Sequence, residues 1–202
     1  MLDSKLRGLW NRIVLPVGGV VAKTRLSPNA LTGLGLLIQA GAAVAILEGR
    51  LALAGLVAVG AAVFDLLDGA VARSQGRTSR FGALVDSTAD RLADMLFFLP
   101  LAWLYGVSPD IAEREHAATA ALALFALVAS ILVSYVKARA EGLGFEANVG
   151  FAERAERVAI MILGLLFDLV LGALVLLTLA SAITFVQRVV HVRRQAASSE
   201  AS

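Results

Sequence analysis

The chain contains no cysteine, so disulfides and thiolate metal ligands are both excluded. Histidine is nearly absent as well: His116 reads as a surface-loop residue and His191 as a helix-end residue. Charge is missing over long stretches, at 29–47, 51–64, 95–109, 117–136, 158–167 and 169–187. Hydrophobic residues make up 58% of the sequence, against ~45–50% in soluble proteins. A membrane span needs ~20 mostly apolar residues, and these stretches recur at about that spacing. An ordinary soluble domain is thereby excluded. At 202 residues the chain has room for one membrane bundle and no separate soluble domain.

The expected fold is an all-α integral membrane bundle of six transmembrane helices, preceded by an N-terminal amphipathic interfacial helix. Residues 1–26 form the interfacial segment, 27–195 the bundle and 196–202 a small, polar, disordered tail. Leu2, Leu6, Leu9, Trp10 and Ile13 share one helical face of the first segment, with Lys5, Arg7 and Arg12 elsewhere. Pro16 and Gly18-Gly19, followed at once by Lys23 and Arg25, argue against a cleaved signal peptide here. Ser27-Pro28 is a helix start, with a capping hydroxyl and proline at the first position. The spans are expected at 29–48, 51–74, 82–106 with a bend near Pro100, 116–142, from before Glu153 to 167, and 170–194. The fifth has an apolar part of only Val158 to Phe167, so Glu153 to Arg157 must face protein or water.

On this layout sixteen of the eighteen basic residues fall on one side, leaving only Arg50 and Arg114 opposite. The positive-inside bias then puts both termini in the cytoplasm. Arg193 and Arg194 read as anchors to anionic lipid. Gly33, Gly35, Gly41 and Ala42 read as packing positions on the first helix.

Four carboxylates interrupt these apolar helices. Asp65 and Asp68 are spaced i,i+3 on the second, and Asp86 and Asp90 i,i+4 on the third, so each pair shares a face. Asp65 stands eight residues before Arg73, ~12 Å from that helix end. The antiparallel third helix puts Asp86 and Asp90 at a similar depth. An ionised Asp at the bilayer centre costs roughly 2.5–3.5 kcal/mol, so four together require a compensating cation. With neither Cys nor His nearby the donors are all oxygen, which suits Mg²⁺ or Mn²⁺. Hard metals on carboxylates beside a polar loop suit phosphate chemistry. Gly69 and Gly82 flank that loop, and Arg73, Arg77 and Arg80 add phosphate donors. Asp94 continues the acidic face and reads as structural.

Asp65-Leu-Leu-Asp68-Gly69-Ala-Val-Ala72-Arg73, then eight residues to Gly82, Asp86 after three more and Asp90 after another three, resembles the signature of the CDP-alcohol phosphotransferase family position for position. Ser27-Pro28-Asn29-x-x-Thr32 resembles the start of that family's first span. The resemblance implies a two-metal centre, two Mg²⁺ or Mn²⁺ per active site, held by Asp65, Asp68, Asp86 and Asp90. It makes Asp90 the general base for the acceptor hydroxyl as well. It also implies a nucleotide and CDP-lipid pocket shaped by Gly69, Ala72, Arg73, Gly82 and Thr32, and a homodimer.

Cations at the same depth on the later helices suit an anionic acceptor: Ser134, Lys137 and Arg139 end the fourth span, Arg154 and Arg157 begin the fifth, and Arg188 ends the sixth. Ser134-Tyr-Val-Lys137-Ala-Arg139-Ala-Glu141, Gly150-Phe-x-Glu153-Arg154-x-Glu156-Arg157 and Val186-Gln187-Arg188 look like the actinobacterial phosphatidylinositol-phosphate synthases. That likeness implies CDP-diacylglycerol and inositol 1-phosphate as substrates, a bacterial cytoplasmic membrane, and no nucleic-acid partner. The connection around Asp168 to Leu171 is shorter than the likeness implies. Phosphatidylglycerophosphate synthases tend to carry Pro and Lys where Ser87 and Arg91 stand here. Such a synthase is the alternative reading. An ion or metal transporter is a remoter one, since transporters place their acids near the midplane beside broken helices.

Overall fold

The computed structural model describes residues 27–74, 79–107, 113–151 and 153–200; of Pro28, 68–74, 113–115 and Glu200 only the backbone is described. The interfacial segment 1–26 and Arg77 lie outside the described residues. Six helices follow: α1 Pro28–Leu47, α2 Leu51–Ser74, α3 Arg80–Val107, α4 Glu113–Gly142, α5 Arg154–Leu166 and α6 Val170–Glu200. No strand occurs among the described residues.

Local chemistry sets the helix ends. Ser27 caps α1 by accepting from the Ala30 N–H at 3.2 Å, with Pro28 at the first turn. Gly49, at φ 72°, makes the tight reversal into α2. Ser79 accepts from the Gly82 N–H at 2.9 Å and so starts α3. The fifth helix begins at Arg154, not before Glu153 as the sequence suggests: Glu153 is its N-cap, in an extended conformation and without a side-chain cap bond. The last helix runs further than expected, through Glu200, so residues 196–200 are helical rather than disordered. Gln195 explains part of this. Its amide donates to Glu146 O at 2.6 Å and accepts from Glu146 N at 3.0 Å, fixing the helix just before an alanine pair of high helical propensity.

The packing partners close into a ring, in the order α1, α2, α5, α6, α4, α3 and back to α1. All six helices supply the core: Ala42 and Ile46, Ala54 and Ala58, Phe97 and Leu101, Ala123 and Ala126, Met161 and Leu165, Leu174 and Leu177. Alanine dominates because helices in a bilayer gain by close backbone approach. Two glycines seat α5 closely against its neighbours. A Cβ on Gly55 would lie 2.8 Å from Leu166 Cγ, and one on Gly164 would lie 2.6 Å from Ala173 Cβ.

Large apolar side chains point outward, among them Leu37, Leu56, Trp103, Phe125, Leu176 and Leu179, the pattern of a protein whose outer solvent is lipid. Asn29–Leu47, His116–Gly142 and Val170–Ser199 are long and apolar enough to span a membrane by length and composition, while the apolar part of α2, Leu51–Leu67, is shorter. The uninterrupted spans are thus α1, α4 and α6. The charges of α2, α3 and α5 gather at one end of the ring.

Candidate active site

Although α2 and α3 are not paired neighbours in the ring, both lean on α1. Gly35 lets α2 come close: a Cβ there would be 3.4 Å from Phe64 Cβ and 3.6 Å from Ala61 O. This arrangement brings carboxylate oxygens of Asp65, Asp86 and Asp90 within 4.8 Å of one another. Asp65 and Asp90 are half-buried and Asp86 is exposed. Asp68 follows Asp65 by three residues on α2; its side chain, like those of Gly69, Ala72 and Arg73, lies outside the described residues.

Such a cluster fits a hard divalent cation. Its described donors are carboxylate oxygens from two helices, close enough to share one ion and too close to remain uncompensated in a low-dielectric setting. Within the protein the compensation comes from α5. Arg154 Nη1 lies 2.5 Å from Asp65 Oδ2 and 3.1 Å from Asp90 Oδ1. One turn further along both helices, Arg157 Nη2 meets Asp94 Oδ2 at 3.0 Å with both side chains buried. Asp94 therefore sits in an ion pair behind the cluster, matching its structural reading.

The expected acceptor-binding residues are spread more widely than the aspartates. Only Arg154 reaches the carboxylates. Arg188 donates from Nη1 to Val133 O at 2.8 Å and from Nε to Val149 O at 3.0 Å, tying α6 to α4 and to the α4–α5 loop. Lys137 is 4.0 Å from Glu141, Ser134 is half-buried and Arg139 is exposed, all on α4.

The loop carrying Arg154 to the site is clamped along one side of α6. Thr184 Oγ1 accepts from Phe151 N at 3.2 Å, Arg188 holds Val149, and Gln195 holds Glu146. Gly150 makes the contact possible: its φ is 117°, and a Cβ would stand 2.3 Å from Thr184 Cγ2.

A cavity of about 400 Å³ opens at the carboxylates and runs between α1, α2, α3 and α5. Asp65, Asp90, Arg154 and the buried Thr32 line it near the cluster. Gly82 is not among its lining residues; it lies at the first turn of α3, where a Cβ would be 3.7 Å from Asn29 Oδ1. One lining residue, Gln39, escapes sequence reasoning. A lone amide within an apolar span, seven residues after Thr32 and thus on the same helical face, is the signal that points to it.

The charged end of the ring, three converging carboxylates beside a cavity mostly lined by apolar side chains, suits phosphoryl chemistry on a lipid-linked substrate. The model of the CDP-alcohol phosphatidyltransferase family matches residues 25–190. A phosphatidylinositol phosphate synthase of Streptomyces avermitilis is 37% identical, over 100% of this chain and 86% of that one. An archaetidylinositol phosphate synthase of Pyrococcus horikoshii is 36% identical, over 95% and 97%. The crystal structure of Mycobacterium tuberculosis phosphatidylinositol phosphate synthase with CDP-DAG bound superposes with a TM-score of 0.79 at 33% identity, covering 90% of this chain and 94% of that one. The same enzyme in complex with manganese and citrate superposes at 0.78 and 34% identity, covering 89% and 88%. The chain belongs to the CDP-alcohol phosphatidyltransferase family, as a multi-pass membrane transferase of phospholipid synthesis.

Proposed function

We propose that the protein transfers the phosphatidyl group of CDP-diacylglycerol to the hydroxyl of inositol 1-phosphate, giving phosphatidylinositol phosphate and CMP. The observation that carries this reading is the convergence of Asp65, Asp86 and Asp90 at the mouth of an apolar cavity. The relatives named for inositol phosphate products favour this acceptor over glycerol 3-phosphate.

Asp90 accepts the proton of the acceptor hydroxyl. The freed oxygen bonds to the lipid-side phosphorus as the bond from that phosphorus to the CMP oxygen breaks. Two Mg²⁺ or Mn²⁺ ions, when bound by Asp65, Asp68, Asp86 and Asp90, would neutralise the pyrophosphate and stabilise the entering and leaving oxygens. Thr32, Gly69, Ala72, Arg73 and Gly82 shape the nucleotide side. Ser134, Lys137, Arg139, Arg154, Arg157 and Arg188 serve the acceptor phosphate: Arg154 by contact, and Arg157 and Arg188 by fixing the helix and loop from which Arg154 projects. The enzyme is read as a homodimer in a bacterial cytoplasmic membrane, with both termini and the carboxylates toward the cytoplasm.

A radiometric assay tests this reading. Purified protein with CDP-diacylglycerol and Mg²⁺ is expected to make labelled lipid from inositol 1-phosphate, and none from glycerol 3-phosphate or free inositol. Asp90→Asn is expected to abolish the product. Product from glycerol 3-phosphate instead would overturn the acceptor and keep the chemistry.

A further inference from the structure

We propose that Gln39 is a substrate-recognition residue whose amide donates a hydrogen bond to a glycerol-ester carbonyl of the CDP-linked lipid. This inference rests on the function proposed above and assigns the apolar depth of the same cavity.

Gln39 is 3% exposed, and its Nε2 has no hydrogen-bond partner within the protein. A buried amide without a partner is costly, and native structures rarely keep one unless a ligand or ordered water completes it. Helical spacing puts Gln39 on the face of α1 that carries Thr32 and Gly35, and all three line the cavity.

Its depth is set by packing. Gly35 abuts Ala61 and Asp65 on α2, so it marks the level of the carboxylates. Gln39 follows four residues later, ~6 Å further into the bundle by the helical rise. In a glycerolipid only two carbons separate the phosphate oxygen from the nearer ester oxygen. With the pyrophosphate at the carboxylates, the ester carbonyls therefore reach the level of Gln39.

The surroundings decide what the amide recognises. Ala58, Ala62, Ala93, Phe97 and Ile162 line the same cavity. A polyol lodged among them would leave most of its hydroxyls unpaired, which is costly. A lipid ester needs one donor for its carbonyl and apolar walls for its chain. Gln39 supplies the former and the alanines the latter. The same donor has no comparable acceptor in an ether-linked lipid, whose oxygen is weaker, so it makes the site ester-selective.

The test compares CDP-diacylglycerol with its dialkyl-ether analogue in wild type and Gln39→Leu, with inositol 1-phosphate as acceptor. Wild type is expected to show a KM about 3- to 10-fold lower for the ester lipid, the scale of one net hydrogen bond. Gln39→Leu is expected to raise the ester KM to the ether value and leave the ether KM and the acceptor KM unchanged. Equal KM values in wild type would overturn the proposal even if the variant failed to fold. So would an equal loss on both lipids in the variant, or a shift in the acceptor KM alone. Turnover of neither lipid by wild type would defeat the proposed function itself, a different result from turnover without ester selectivity.

Discussion

Arg157 and Asp94 form a buried pair whose side chains are 4% and 6% exposed. Removing one partner of such a pair strands the other charge, at about 3–5 kcal/mol. Arg157→Ala is therefore expected to lower the thermal midpoint of the detergent-solubilised protein sharply, and the double change Arg157→Leu with Asp94→Leu to recover most of it. Equal losses in both would mean that the pair is not the stabilising unit. Asp86 behaves in the opposite way. It is exposed and faces like charges, so Asp86→Asn relieves repulsion and should leave the metal-free midpoint unchanged or slightly higher. The same change is expected to weaken Mn²⁺ binding at least about tenfold, as measured by electron paramagnetic resonance titration, because a ligand counts for no less than the groups that orient it. The acidic residues were legible in the sequence because carboxylates within apolar helices are conspicuous and helical spacing dictates their shared faces. The placement of Arg154 between Asp65 and Asp90 was not, since spacing on α5 fixes its face but not which helices that face meets.

At the scale of elements, α5 is the piece that the rest of the bundle holds in place. It is 13 residues long and receives its seat from Gly55 on α2 and from its own Gly164 against α6. Gly164→Val would drive a side chain into Ala173 and, through the α5–α6 turn, push Arg154 away from the carboxylates. Overpacking of this kind costs typically 1–3 kcal/mol. The expected result is a lower thermal midpoint together with a fall in turnover, whereas Gly33→Val should alter neither, because Gly33, contrary to its expected packing role, is exposed with nothing within 4 Å of a Cβ. An unchanged Gly164→Val enzyme would show that α5 tolerates displacement. The sequence announced α5 poorly because its apolar run is short, and its start lies at Arg154 because Glu153 takes an extended backbone conformation and so sits outside the first turn. The end of α6 was misread for a different reason. Small polar composition suggests disorder, but Gln195 reaches 49 residues back to Glu146, and a contact of that separation leaves no trace in local composition.

For the molecule as a whole, the ring order explains how a site can form between helices that are not paired neighbours. The α1 helix stands between α2 and α3 and spaces them, so their carboxylates converge across a gap that becomes the cavity. Hydropathy revealed six helices without revealing this order, because lipid-facing and core-facing residues are both apolar here and periodicity cannot separate them. The charge asymmetry adds a prediction about orientation that the absence of cysteine makes unusually direct to measure. Glu48 lies at the α1–α2 reversal and Leu143 at the end of α4, both exposed and at opposite ends of the ring by the alternation of the helices. Cysteines introduced singly as Glu48→Cys and Leu143→Cys would be the only thiols in the chain. A membrane-impermeant maleimide added to intact bacterial cells is expected to label the first, and to label the second only after the membrane is opened. That outcome sets the carboxylates and Arg154 on the cytoplasmic side, where a water-soluble acceptor and CMP have free access. The reverse pattern would require the acceptor to be supplied from outside, and would overturn the positive-inside assignment on which that orientation stands.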